Sequence, residues 1–211
     1  MSTYPPLSYP LSPVENLAKT HAILCATGFL ILLPLGALIA RYGRNFTKYW
    51  FYAHTLFQFL FAGPVIYAGF SKGLNLTNML QAPKFSDKHQ KIGLAVLILY
   101  VIQLVMGLAI HIFKTPSLFG GRRPPQNYFH VVLGIVILAL AAYNVHYGLY
   151  TEWLLLGGLH QMPIAAENAW LALVVVFWAL YFIGLAFVPR QLKQEKESRE
   201  KQKEKFESSA S

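Results

Sequence analysis

The stretch from Tyr128 to Tyr150, YFHVVLGIVILALAAYNVHYGLY, runs 23 residues without one Lys, Arg, Asp or Glu. At about 1.5 Å of rise per residue, a helix of that length crosses a hydrocarbon core of roughly 30 Å. In hydrocarbon every backbone N–H and C=O must be paired within the segment, and a helix does this unaided. Near the two ends of the stretch sit His130 and His146. An imidazole in a membrane helix faces the protein interior and a partner by default. The fold and the chemistry both depend on how many such stretches there are and where their histidines fall.

Four more stretches have the same character: Ala22–Ala40, Trp50–Phe70, Ile92–Phe113 and Ala169–Val188, each free of Lys, Arg, Asp and Glu. Five transmembrane helices therefore take up about half of the 211 residues, in an all-α membrane protein. A composition of 55% hydrophobic and 13% charged residues agrees. The chain left over is too short for a second folded domain, and a soluble catalytic module is excluded. Cys25, the lone cysteine, excludes an internal disulfide, a Cys-x-x-Cys-His haem attachment and a Cys-based zinc site. The net charge of +9 does not point to nucleic acid, because seven of the eighteen cations lie in Arg190–Ser211. That segment reads as a solvated membrane-proximal tail, a fraying helix or disorder.

Orientation follows from the cations in the connections. Arg41, Arg44, Lys48, Lys114, Arg122, Arg123 and the C-terminal tail put 13 on one side, against five (Lys19, Lys72, Lys84, Lys88 and Lys91) on the other. The N-terminus is expected outside and the C-terminus in the cytosol. The sequon Asn75-Leu76-Thr77, expected in the second connection, falls on the outer side. The first twenty residues hold four prolines and neither a basic region nor an apolar core, so the first span serves as its own insertion signal. The chain thus divides into an extracytosolic tail (1–18), a membrane domain (19–189) and a charged cytosolic tail (190–211). Pro34 and Pro64 fall inside the first two spans, where local kinks are expected.

Depth sorts the histidines. His21 and His89 open the first and third spans, which both start outside, whereas His54 and His130 open the second and fourth, which start in the cytosol. Two cross-helix pairs result, one at each side. Two neutral imidazoles from opposite helices of a four-helix bundle meet the need of a six-coordinate b-type haem. Alternate helices supply each pair if the first four stand in cyclic order; the fifth has no histidine and packs outside. His89-x-x-x-Gly93 and His130-x-x-x-Gly134 place a glycine one turn inward from each ligand, and Gly28 lies seven residues from His21, which predicts room for a flat macrocycle on those faces. A single membrane histidine is by default a hydrogen-bonded interior residue, and His111, His146 and His160 keep that reading. His111 and His146 otherwise flank the haem edges or bind a propionate.

Several segments resemble the cytochrome b561 family, above all the fungal branch whose membrane domain often follows an extracellular DOMON domain. They are His21-Ala-Ile-Leu, Leu33-Pro-Leu-Gly36, Ala40-Arg-Tyr-Gly-Arg44, Trp50–His54, His89-Gln-Lys-Ile-Gly93, Gly121-Arg-Arg-Pro, and Asn127-Tyr-Phe-His130-Val-Val-Leu-Gly134. The resemblance implies two non-covalent haems b, with His21 and His89 as iron ligands of the outer one, His54 and His130 of the cytosolic one, and electrons passing between them. It implies cytosolic ascorbate as donor and monodehydroascorbate or a ferric chelate as acceptor, in a chain expected to lack the DOMON domain and to have five helices where stand-alone members usually have six. Membrane lipid and small-molecule redox partners follow; a homodimer stays open.

Bis-histidine ligation leaves no open iron position, which suits outer-sphere electron transfer. Cations at the mouths would attract an anionic donor or acceptor or offset propionates: Arg41, Arg44, Lys48, Arg122 and Arg123 on the cytosolic side, with Asn127 beside them, and Lys84, Lys88 and Lys91 outside. Two rival readings are a small transporter or proton pathway using the histidines without haem, and a ferric reductase with two histidines per helix. The apolar spans carry no carboxylate for the first, and the first two spans carry one histidine each, against the second.

Overall fold

A computed structural model describes residues 10–113, 124–156 and 160–210. It contains five long apolar helices: α1 (Pro13–Gly43), α2 (Trp50–Met79), α3 (Lys88–Ile112), α4 (Pro125–Leu155) and α5 (Ile164–Ile183). One 3₁₀ turn, Gly184–Phe187, joins α5 to a sixth helix, α6 (Val188–Ala210). The charged tail is thus helical through its described length.

Local chemistry sets the ends. Ser12 accepts from the Glu15 N–H, Glu15 Oε2 accepts from the Ser12 N–H at 2.8 Å, and Pro13 occupies the first turn. This capping box starts α1 at Pro13, inside the segment expected to be tail. Asp87 caps α3 by accepting from the Gln90 N–H at 2.8 Å. Pro125 and Pro163 stand at the starts of α4 and α5, where a missing N–H costs nothing. The sequon lies on the last turns of α2 and not in a connection: Thr77 is buried and its hydroxyl donates to the Gly73 carbonyl. The helix outruns the apolar stretch because its inward face stays apolar or satisfied to the end.

Pro34 and Pro64 act through π-helical turns. Thr27–Leu32 and Gln58–Ala62 each precede a proline, and the Leu33 and Gly63 N–H groups reach back five residues, to Gly28 and Gln58. A proline ring crowds the carbonyl four residues back, and the extra residue in the turn accommodates it.

The helices stand in the cyclic order α1, α2, α3, α4. The closest packing is α1 along α2 and α3 along α4, so the bundle is two helical hairpins, with α1 diagonal to α3 and α2 diagonal to α4. Ile66, Val96 and Ile137 are fully buried at its centre, with Leu33, Ala62, Tyr100 and Ala141 around them. Leu60, Phe61, Tyr67, Val105 and Leu154 are more than half exposed, as side chains facing lipid are. α5 packs outside the four, against α1 and α4. Trp170 ties it to α4 by donating to the Ala142 carbonyl at 3.0 Å, and Tyr42 of α1 donates to the Leu180 carbonyl at 2.6 Å. Past α4, His160 meets Glu15 of α1, Nδ1 to Oε1, at 2.9 Å.

Candidate functional site

Each of the four paired histidines rests on its hairpin partner. His21 of α1 donates Nδ1–H to the Gly69 carbonyl of α2 at 2.8 Å, and His54 of α2 donates Nδ1–H to the Gly36 carbonyl of α1 at 2.7 Å. A carbonyl only accepts, so Nδ1 carries the proton and Nε2 keeps its lone pair. His89 of α3 lies against Asn144 and Gly148 of α4, and His130 of α4 against Gly107 of α3. Their Nδ1 atoms are buried without a hydrogen-bond partner.

Glycines make these contacts possible. A Cβ on Gly73 would stand 2.8 Å from His21 Cε1, one on Gly107 2.8 Å from His130 Cε1, and one on Gly148 3.0 Å from His89 Cε1. The ring-facing glycines therefore sit on the neighbouring helix. The expected ones, Gly28, Gly93 and Gly134, face Ile66, Asn144 and Gln103 instead, although Gly93 also borders the cleft described next. Gly28 faces the same helix as His21 but lies deeper in the bundle, against Ile66.

His21 and His89 meet across one diagonal. The His21 and His89 ring centres are 6.0 Å apart with the planes at 85°. Two metal–nitrogen bonds of about 2 Å, plus about 1 Å from each nitrogen to its ring centre, come to roughly 6 Å. Between these rings opens a cleft with about 1370 Å³ of space not filled by atoms, partly open to the surroundings, lined by His21, His89, Gly73, Gly93, Asp87 and Glu152 among others. At the other end His54 of α2 and His130 of α4 stand on the other two, diagonal helices. Among the described residues no three His, Cys, Asp or Glu converge as a metal cage. A pair of imidazoles on opposite sides suits a metal that brings its own equatorial ligands, so the donor set, the glycine cradles and the cleft fit a haem.

The remaining candidates divide. Asn127, one turn before His130, has a buried Oδ1 without a partner. His111 stacks on Phe51 of α2, ring centres 3.5 Å apart, at the His54 end. His146 turns to α5, between Tyr150 at 4.2 Å and Trp170 at 4.7 Å. Lys84, Lys88 and Lys91 are exposed and none lines the cleft. Lys88 lies over Tyr143 and Tyr147, 5.3 and 5.4 Å from their ring centres. With His89 facing inward, positions 88 and 91 point away along the helix. The charged residues at the cleft are carboxylates, Asp87 and Glu152, where cations were expected. Arg41 donates to Tyr181 Oη at 2.6 Å and lies 4.7 Å over that ring, while Arg44 pairs with Glu195 of α6 and lies 5.3 Å over Trp50. Lys48 lies over its neighbour Tyr49. Arg122 and Arg123 fall outside the described residues.

The sequence reading missed Gly73, Gly107, Gly148, Glu15, Tyr181 and Glu195. Only Glu15 carried a local signal, the Ser-Pro-Val-Glu capping pattern at 12–15.

With two diagonal histidine pairs in a four-helix bundle, the family match decides the frame: the model of eukaryotic cytochrome b561 covers residues 20–155. This chain belongs to the cytochrome b561 family. Three cytochrome b561 and DOMON domain-containing proteins of Arabidopsis thaliana are similar to it. One is 33% identical over 151 residues, covering 68% of this chain and 38% of its own. Another is 30% identical over 159 residues (74% and 36%), and a third 31% over 132 residues (62% and 31%). The chain spans about a third of the length of these curated relatives. No solved structure matches it. In this cytochrome b561 chain the matched region ends at the last residue of α4, so the family core is the four-helix bundle and α5 and α6 lie beyond it. Haem-based electron transport across a membrane is what the family does.

Proposed function

We propose that the chain is a two-haem transmembrane electron carrier, with one haem b between His21 and His89 on the outer side and one between His54 and His130 on the cytosolic side. The observation that carries this reading is the 6.0 Å separation of the His21 and His89 rings across the bundle diagonal. The N-terminus is outside, the C-terminus cytosolic, and residues 19–189 form the working unit, on the distribution of cations. The donor is cytosolic ascorbate and the acceptor monodehydroascorbate or a ferric chelate. Motif order supports the fungal branch as affiliation.

Held by these pairs, haem b would supply a reversible one-electron couple. The residues of the chain do the positioning. Nδ1–H bonds from His21 and His54 fix their ring planes and make Nε2 a better donor. Gly73, Gly107 and Gly148 leave the space in which three of the imidazoles stand. Ile66, Val96 and Ile137 fill the middle of the bundle and keep it dry. Apolar outer faces hold the bundle in lipid.

An absorbance spectrum of the purified full chain tests the proposal. Low-spin b-type bands at two haems per chain, reducible by ascorbate, are expected, and His54→Ala should leave one haem and spare the outer pair. A colourless protein overturns the proposal in favour of a transporter.

A further inference from the structure

Arg41 and Arg44, two of the cations expected at the cytosolic mouth, are held by the chain itself. The first turns of α6 lie against the end of α1. Gln191, 6% exposed, donates to the Arg41 carbonyl at 2.8 Å, and Glu195 pairs with Arg44, both side chains mostly buried. Arg41 is taken by Tyr181, and Tyr42 packs edge-on against Phe187, ring centres 5.6 Å apart, so the α5–α6 junction is fastened to α1 at several points. Gly184 allows the close approach: a Cβ there would stand 2.5 Å from Arg41 Cγ. Behind Arg44 lies Trp50, which opens α2 one turn before His54. A guanidinium backed by an indole face and holding one carboxylate is an arrangement that accepts a carboxylate or similar small anion.

We propose that the C-terminal helix is a built-in competitor: Glu195 occupies the Arg44–Trp50 anion subsite at the cytosolic mouth, and an anionic electron donor must displace it. The proposal rests on the two-haem reading and adds regulation to it. The tail helix is not a spectator, since its carboxylate sets the concentration of anion needed to reach the mouth. A neutral donor does not meet this competition.

The test uses the full chain in lipid nanodiscs, with reduction of the b-type bands followed against donor concentration. Glu195→Gln keeps the helix and removes the competing charge. The half-saturating concentration of ascorbate should fall about three- to five-fold, the range expected from one partly exposed ion pair. For a neutral hydroquinone it should not move. A second readout needs no haem: hydrogen exchange in Val188–Ala210 should quicken when ascorbate is added to the wild-type chain, and not in Glu195→Gln, which has no carboxylate for the anion to displace. An unchanged ascorbate dependence in Glu195→Gln, or equal shifts for both donors, overturns the competitor. Absence of b-type bands overturns the two-haem reading instead, and hydrogen exchange then still decides whether the anion displaces the tail.

Discussion

The two hairpins hold their histidines by different means. In α1 and α2 the imidazoles are hydrogen-bonded, His21 to Gly69 and His54 to Gly36, each across to the other helix, and both helices carry a π turn before a proline. In α3 and α4 the imidazoles lean on glycines, His89 on Gly148 and His130 on Gly107, with Nδ1 unpaired, and the π turn of α4, Gly148–Glu152, precedes no proline. Each diagonal pair therefore has one anchored ring and one cushioned ring. An anchored ring has a fixed plane, whereas a cushioned one can slide within its cradle.

That contrast is open to direct attack. Gly73→Ala and Gly107→Ala introduce the same overlap, 2.8 Å to an imidazole Cε1. His21 can yield only by giving up its bond to Gly69, so the largest effect is expected there: haem content falls from two toward one per chain, measured by pyridine haemochrome. Equal losses in the two variants would erase the distinction. Gly107→Ala should keep both haems and change the low-spin electron paramagnetic resonance signal of the cytosolic one, as His130 turns to make room. The smallest effect belongs to Tyr100→Phe. Tyr100, 3% exposed, donates to the Gln58 carbonyl at 2.8 Å and joins α3 to α2 at the π turn. Its loss should cost about 1 kcal/mol, lowering the thermal midpoint by a few degrees with the spectrum unaltered.

Five spans, an outlying fifth helix and the cyclic order of the first four were legible in the sequence, because uncharged length and histidine depth are properties of single helices. What helices present to one another was not. Gly73, Gly107 and Gly148 matter for the rings of other helices, and no spacing within one span reveals the phase of its neighbour. The partners of the candidate mouth cations were hidden for a related reason. Counting Lys and Arg fixes a side of the membrane, but Lys88 lies on tyrosines, and Arg41 and Arg44 are taken by Tyr181 and Glu195, far along the chain.

The contact between Glu15 and His160 joins the first turn of the core to the chain just beyond its last helix. A ring of staves fastened at its seam does not fan open. The slot in which the outer cofactor would stand, lined by Ala18 and Trp153 close to that contact, is thereby clasped at its rim by the two ends of the bundle.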